Sequence, residues 1–433
     1  MKRILGVSAA IALAVVAGCT AGGTPSASPT GSPGATSTGA PEADVTLTFL
    51  TFETPNLTAA YWDDIIAKTS QAVPGVTIEK LVAPSAEQRN EYARQLDSTG
   101  ALPDIMVAID PPGLAEAGKL AEFSKEELAD WVDPTANSFD GVIYQLPTNT
   151  QTWQIYYNKA AFQKAGITAP PATWSELLQA AKALQEAGIP PFLIGGGPDT
   201  LGPRWLFQPL VANEVYAKNP QWLSQLVAGD LDFGDPLFVN ALNRLVELAP
   251  YASPAGLSQG YADAQASFLA GEAAMYSMGS WFPAAPSEAQ QEEIGVFSVP
   301  TEDGSLVLPA YTGGGLSVSA SAPDVAKAKA WAMEFSKLNA DGGARYDGLF
   351  VSLKGYQPPA DLPRLYNETF ALYQKAQESG TVTPSFGSEG GVPALPSGMI
   401  AQVDAALLDL LTGRKTVDEV VTFLNGKLDE LNR

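Results

Sequence analysis

Asp44-Val45-Thr46-Leu47-Thr48-Phe49-Leu50 alternates polar and apolar side chains, and this alternation predicts a β-strand with one buried face. The spacing of apolar residues predicts a helix over 61–71, a strand over 76–81 and a second helix over 87–96. Residues 105–109, Ile-Met-Val-Ala-Ile, form a continuous apolar run that is typical of a strand buried in a parallel sheet. The order β-α-β-α-β predicts an α/β lobe.

Helix-capping sequences predict further helices in the rest of the chain. Thr173 and Glu176 have the spacing of a capping box, in which each side chain accepts a hydrogen bond from the other residue's backbone N–H. Asp235, which precedes a proline, predicts another helix start. A helix is predicted over 400–411, and residues 416–419 can cap the last helix.

The composition of the 433-residue chain excludes several classes of protein. It has no histidine and one cysteine, Cys19, which excludes His-dependent nucleophiles, His- or Cys-ligated metal centres and intrachain disulfides. The formal net charge of -22 argues against a nucleic acid partner, because phosphates require clustered Lys and Arg. We therefore predict a globular protein with no metal site and no cofactor.

The N-terminus has the features of a secretion signal. Lys2 and Arg3 precede a short apolar stretch over 4–16, which is typical of a signal peptide over residues 1–18. The end of this stretch, Val16-Ala17-Gly18-Cys19, resembles the lipobox of bacterial lipoproteins. That resemblance implies a diacylglyceryl group on Cys19 and cleavage before it. The alternative is an ordinary secretory signal with an incidental cysteine.

Residues 19–43 are predicted to form a disordered tether after the lipid anchor. Beyond Cys19 the segment consists almost entirely of Ser, Thr, Pro, Gly and Ala, so it has little apolar surface to bury. Such a tether would hold the folded part at the extracellular face of the cytoplasmic membrane. This arrangement suits a protein that delivers a molecule to a membrane partner, and it also suits a surface enzyme.

Two kinds of motif could indicate catalysis. Gly256-Leu257-Ser258-Gln259-Gly260 matches a nucleophile elbow, but the preceding residues do not resemble a strand and the chain has no His to act as base. Adjacent acids, as at Asp63-Asp64 or Glu126-Glu127, could suggest the carboxylate pair of a glycosidase, which needs no His. Neighbouring residues on a helix point apart, so a solvated surface is the simpler interpretation, but a glycoside hydrolase remains an alternative.

A longer pattern carries the functional prediction. The segment 155–178, with Tyr156-Tyr157-Asn158-Lys159 and later Thr173-Trp174-Ser175-Glu176-Leu177, resembles the signature of the family 1 extracellular solute-binding proteins. These are the carbohydrate receptors of ABC importers and include the maltodextrin-binding proteins. Further segments resemble family motifs in the family's order, and these are 102–105, 268–281, 294–300 and 313–318. The resemblance covers residues 44–433.

The resemblance implies a two-lobed, type II periplasmic-binding-protein-like α/β fold, with discontinuous domains joined by hinge strands. The chain is expected to cross between the lobes near 149–152, 306–312 and 355–362. The N-terminal lobe would comprise 44–150 and 310–358, and the C-terminal lobe 151–309 and 359–433. A sugar would bind between the lobes of a monomer and stabilise a closed form that docks on the permease subunits of the transporter.

The candidate ligand residues have two sources. Phe52, Glu53 and Asp110 directly follow predicted strands, at the edge of the sheet where α/β proteins collect ligands. The others stand where the resemblance places sugar contacts, Trp281 as a stacking plate above all. They are Trp281, Trp205, Arg204, Asn149, Gln151, Tyr311, Gly313, Gly314 and Ser397.

The sequence therefore predicts a lipid-anchored receptor that binds a sugar and catalyses no reaction. Sugars combine apolar C–H faces with a rim of hydroxyls, which suits aromatic plates next to polar side chains. Two alternatives stay open. One is a secreted glycoside hydrolase, and the other is a receptor of the same fold for a non-sugar solute, whose charge Arg204 could compensate.

Overall fold

The computed structural model describes residues 44–136, 138–139, 141–198, 200–387, 395–396 and 398–432. The predicted signal peptide, Cys19 and the predicted tether lie outside this range. Among the helices that are described, none is both long enough and apolar enough to cross a membrane.

The strands are short apart from β6. In chain order they are β1 (Val45–Thr51), β2 (Val76–Val82), β3 (Ile105–Val107), β4 (Ser138–Phe139), β5 (Val142–Ile143), β6 (Asn149–Asn158), β7 (Phe192–Leu193), β8 (Met275–Gly279), β9 (Ile294–Phe297), β10 (Leu308–Gly313), β11 (Leu316–Val318), β12 (Phe350–Val351) and β13 (Val382–Pro384).

The helices surround these strands. They are α1 (Ala59–Ala72), α2 (Arg89–Ser98), α3 (Pro112–Glu116), α4 (Lys159–Lys164), α5 (Trp174–Glu186), α6 (Gly202–Val211), α7 (Trp222–Ala228), α8 (Pro236–Leu248), α9 (Tyr261–Leu269), α10 (Glu288–Glu293), α11 (Val325–Leu338), α12 (Ala340–Tyr346), α13 (Arg364–Glu378), α14 (Met399–Leu411) and α15 (Val417–Leu431). A π-helical turn, Ala212–Tyr216, extends α6, and 3-10 turns lie at Ala249–Tyr251, Gly256–Ser258 and Phe282–Ala284.

The first sheet has the strand order β11-β3-β1-β2. β1 runs parallel to β2 and β3, and β11 closes the edge antiparallel to β3. The predicted β-α-β-α-β order is therefore confirmed. The core beside this sheet is aromatic. The Phe49 ring lies 5.1 Å from Trp331 and 5.3 Å from Phe335, centroid to centroid, so α11 is held against β1.

The second sheet is built on β6. Its order is β13-β10-β6-β8-β7, and β12 and β9 also pair with β6. Residues 149–152 pair antiparallel with β10, so β6 begins at Asn149 and spans ten residues.

Helix caps in the second half follow the predicted chemistry with one difference. The Thr173 side chain accepts from the Glu176 N–H as predicted, but the Glu176 carboxylate accepts from the Ala172 N–H (2.7 Å) instead of the Thr173 N–H. Asp235 caps α8, and a complete capping box forms at the start of α15. The Gly256–Ser258 turn leads through a short extended link into α9, and the element directly before it is the Ala249–Tyr251 turn, not a strand.

The chain passes from the second sheet to the first between Gly313 and Leu316. At Gly315 the backbone approaches Leu146 so closely that an added Cβ would lie 2.2 Å from the Leu146 carbonyl oxygen. The Gly315 carbonyl also accepts a hydrogen bond from Ala108 (2.9 Å), and the Leu146 N–H donates to Leu316 (3.0 Å). Only glycine fits this junction without displacing backbone.

We predict that Gly315→Ala lowers the free energy of unfolding by about 2 kcal/mol or more, because overpacking against backbone forces a shift. Urea unfolding midpoints measure the effect. Gly426→Ala is the matched control, since Gly426 lies inside α15 with open space around it, and its replacement should be neutral or stabilising by up to ~1 kcal/mol. Equal midpoints for Gly315→Ala and the unchanged chain would contradict the close approach.

Candidate functional site

A cavity of about 250 Å³ lies among the carboxyl ends of β1 and β3, the first half of β6, and helix α6. Both sheets contribute to its wall. Phe52 and Val107 come from the first sheet, and Asn149, Gln151 and Tyr311 come from the second. The cavity therefore lies at the region where the chain passes from one sheet to the other.

One wall of the cavity is an aromatic group around Trp281. The Trp281 ring lies edge-on to Trp205 (5.6 Å between centroids) and Trp153 (6.3 Å), and Trp205 lies edge-on to Tyr261 (5.9 Å). Gly279 makes room for Trp281, because a Cβ there would lie 1.9 Å from the indole ring. A residue with a side chain at position 279 would therefore clash with the Trp281 ring.

The opposite wall carries a second aromatic group. Phe52 lies 5.8 Å from Trp62, and Trp62 lies 5.3 Å from Tyr61, measured between ring centroids. The Tyr61 hydroxyl donates to Asn339 Oδ1 (2.6 Å), which fixes the ring against the α11–α12 junction. Burial of this hydroxyl raises the pKa of Tyr61.

Ala108 sets the position of the backbone at the end of β3. Its φ of +48° is left-handed, a conformation that costs a non-glycine residue energy and is typical of functional sites. The Arg89 guanidinium holds this turn, because it donates to the carbonyls of Ala108 and Ala86 and lies 5.3 Å from the Phe52 ring centroid. This turn also explains why β3 stops at Val107, before the end of the predicted apolar run.

The charges on the cavity wall are largely engaged. The two cationic side chains among the described lining residues are Arg89 and Arg204. Arg204 forms an ion pair with Asp404 of α14 (3.1 Å), and Arg89 is bound to backbone carbonyls. Each guanidinium is therefore already held in place through one or two of its nitrogen atoms.

Asp347 is a lining carboxylate whose oxygens form no ion pair or hydrogen bond with another described residue. It directly follows α12 and precedes Gly348, whose backbone packs against Ser280 and Trp281. Burial raises the pKa of Asp347 to about 7, while the Arg89 charge opposes the rise. Asp347 can therefore change its charge near neutral pH.

Three buried polar atoms on lining residues lack a hydrogen-bond partner among the described residues: Asn149 Oδ1, Trp62 Nε1 and Trp153 Nε1. Their side chains are 4%, 3% and 6% exposed. The Asn149 amide nitrogen donates to Thr148 (3.0 Å), whereas its carbonyl oxygen has no described partner. An unmade hydrogen bond at a buried group is costly, so these three atoms are sites where the present conformation is not optimally stabilised.

Most of the predicted ligand residues share this cavity. Trp281, Trp205, Arg204, Phe52, Asn149, Gln151, Tyr311 and Gly314 line it.

The remaining predicted residues lie elsewhere. Glu53 is exposed and does not line the cavity, although its neighbours Phe52 and Thr54 do. Asp110 is also exposed, and its N–H donates to Asn90 Oδ1 (2.7 Å). Gly313 is buried in β10 opposite Asn149 and does not line the cavity. Ser397 lies outside the described residues.

Several lining residues were not predicted. Trp62 and Tyr61 have the spacing of the buried face of a helix, and Arg89 lies in a helix with little apolar character, so neither pattern indicates a site. Asp347 follows a short helix and carries no local signal. Trp153 is buried in the core and also lines the cavity.

Comparison of the sequence and the structure with known proteins shows the family of this chain. Residues 54–335 match the sequence profile of the bacterial extracellular solute-binding proteins. The chain belongs to this family. The predicted membership is thereby confirmed, and so is the two-lobed α/β fold: a chitin oligosaccharide binding protein of known structure superposes with a TM-score of 0.78 at 26% identity, over 90% of this chain and 99% of that chain.

Two relatives of this family member are similar in sequence over part of their length. An uncharacterized ABC transporter extracellular-binding protein of Pyrococcus horikoshii is 24% identical over 306 residues, which is 68% of this chain and 64% of the relative. An sn-glycerol-3-phosphate-binding periplasmic protein of Rhizobium meliloti is 44% identical over 54 residues, 12% of this chain and 13% of the relative. The matches thus span less than two thirds of these relatives.

We predict that Asp347 makes stability depend on pH in a defined direction. Since its folded pKa of about 7 exceeds the ordinary 3.8, its neutral form favours the folded state below pH 4, and this contribution is lost as the pH rises through 7. Asp347→Asn should therefore become more stable relative to the unchanged chain between pH 5 and pH 8, by about 2 kcal/mol in urea unfolding.

Asp303→Asn is the control for this prediction. Hydrogen bonds from Ser305 and Thr301 hold the pKa of Asp303 at about 2, so its contribution is present above pH 4 and lost only as the pH falls through 2. The stability difference for Asp303→Asn should thus be constant between pH 5 and pH 8. Parallel pH profiles for Asp347→Asn and the unchanged chain would show that Asp347 does not titrate in this range.

Proposed function

We propose that this protein is the extracellular substrate-binding component of an ABC importer, which captures a neutral sugar or oligosaccharide between its lobes and delivers it to the permease subunits. The observation that carries the proposal is the lining of the cavity, where Trp281, Trp205 and Phe52 lie beside the amide side chains of Asn149 and Gln151. A hydroxyl group both donates and accepts, and so does an amide, so the hydroxyl rim of a sugar can form hydrogen bonds with these polar groups.

The aromatic walls support the same ligand class. Trp281 on one side and Phe52 on the other offer flat apolar surfaces, and the C–H faces of a sugar ring can pack against such surfaces. The mixture of aromatic side chains with a few convergent polar groups is typical of small-molecule pockets. The resemblance of the fold to a chitin oligosaccharide binding protein agrees with this class.

The charges favour a neutral ligand over a phosphate ester. Arg204 is paired with Asp404, and Arg89 is bound to the carbonyls of Ala86 and Ala108. The lining also contains two acidic side chains, Glu87 and Asp347, so the described lining residues offer a phosphate no excess of positive charge. The relatives that bind sn-glycerol-3-phosphate make this ester the natural competitor in a binding test.

Ligand capture would act through domain closure. We assign 44–150 and 310–358 to one lobe and 151–309 and 359–433 to the other. The contribution of both sheets to the cavity supports this division, since a ligand that contacts both lobes binds the closed form better than the open form. We infer that Cys19 carries the lipid that holds the receptor at the outer face of the membrane, and that no bond of the sugar is cleaved.

The proposal is tested by thermal denaturation with a panel of mono- and disaccharides and with sn-glycerol 3-phosphate. A ligand at one hundred times its Kd should stabilise the fold by about 2.7 kcal/mol and raise its Tm. A shift with the phosphate ester alone would overturn the proposal. Release of shorter sugars during long incubation with a bound oligosaccharide would favour the glycoside hydrolase alternative.

We predict that Trp281→Ala weakens the affinity for the best saccharide about tenfold or more, because the stacking surface of the wall around Trp281 is lost. Trp281→Phe keeps a ring in the same place and should retain most of the affinity. Isothermal titration measures both, and the Tm without ligand reports whether each variant is folded. An unchanged affinity in folded Trp281→Ala would remove Trp281 from the binding site.

A further inference from the structure

An aromatic series leads from the cavity to its outer edge. Phe52, Trp62 and Tyr61 form the wall described above, and the Tyr61 ring continues edge-on to Tyr346 with 5.7 Å between centroids. Exposure rises along the series, since Trp62 is 3% exposed and Tyr346 is 48% exposed. The wall therefore does not end at the edge of the cavity but continues into solvent.

Tyr346 directly adjoins the cavity without lining it. It is the last residue of α12, the next residue is Asp347, and Gly343 one turn earlier also lines the cavity. Tyr61, on which Tyr346 rests, is fixed by its bond to Asn339 Oδ1 (2.6 Å). Tyr346 thus has a rigid support and a fixed position next to the site.

The exposure of Tyr346 stands out among the described residues. The large hydrophobic side chains that are clearly exposed are Val82, Val132, Val246, Leu338, Leu431 and Tyr346, and Tyr346 is the one aromatic residue in this set. An exposed aromatic ring next to a binding cavity is a surface for recognition, because tyrosine offers a large contact area with little conformational freedom to lose.

The size of the cavity supplies the second observation. Its volume of about 250 Å³ is below the roughly 300–1,000 Å³ of pockets that enclose a whole drug-sized ligand. A saccharide of several rings would therefore leave part of its length outside. Tyr346 is the exposed end of the aromatic series Phe52, Trp62 and Tyr61, and it adjoins the lining residues Tyr61 and Asp347.

We propose that Tyr346 forms an outer subsite, so that the preferred ligand is a linear oligosaccharide with one end in the cavity and a following ring stacked on Tyr346. This inference rests on the proposed sugar-binding function and narrows it from sugars in general to oligosaccharides. A monosaccharide would use the cavity alone and gain nothing from Tyr346.

The test measures the affinity of a mono-, di- and trisaccharide of one sugar series for the full chain and three variants by isothermal titration. Tyr346→Ala should lose about tenfold in affinity for the longest saccharide that the chain binds and nothing for the monosaccharide. Tyr346→Phe keeps the ring and should match the unchanged chain. Val132→Ala removes an exposed apolar side chain elsewhere (63% exposed) and should also leave every affinity unchanged.

The outcomes separate this inference from the proposed function. Equal losses for short and long saccharides in Tyr346→Ala, or no loss for any, would overturn the outer subsite while leaving sugar binding intact. A chain that binds no saccharide but binds sn-glycerol 3-phosphate would overturn both. A loss in Tyr346→Phe as large as in Tyr346→Ala would show that the hydroxyl acts instead of the ring face, and it would also overturn the stacking subsite.

Discussion

The alternation of side chains along β6 is the constraint on which the site depends. In a strand, successive side chains point to opposite faces. Asn149, Gln151 and Trp153 line the cavity, whereas Thr150 and the residues that alternate with it face the other way. A shift of one residue in register would exchange the two sets.

The second face of β6 explains why the register is held. Thr150 and Thr312 hydroxyls lie 2.8 Å apart, Thr152 donates to Gln154 Oε1 (2.8 Å), and Gln154 donates to the Tyr156 hydroxyl (2.7 Å). Apart from the half-buried Thr312 these groups are buried, and a buried polar network is stable only when its members are paired. The contact between Thr150 and Thr312 joins β6 to β10 and so helps to fix their register, whereas Asn149 and Trp153 on the opposite face carry unpartnered atoms.

Much of the fold follows from local patterns, while only part of the site does. Alternation in 44–50 and the apolar run from Ile105 predicted β1 and β3, because the period of a strand is visible in a few residues. Trp281 could be expected in the cavity from a sequence motif. The same motif contains Gly279, which leaves room for the Trp281 ring. Asp347 and Arg89 could not be expected there, since a single charged residue in a helix or turn is usually solvated. Their position at the cavity depends on segments far away in the chain.

The sequence by itself determined the α/β character of the chain, the helix caps, the exclusion of His-dependent chemistry and the family to which the protein belongs. These features depend on residue types and short spacings, which the chain displays directly. The tertiary structure alone decided that Trp62, Arg89 and Asp347 share a cavity with Trp281, and that Glu53 and Asp110 do not. The physical reason is that a cavity is made by packing distant segments together, and the direction of each side chain is set by neighbours that local spacing does not specify.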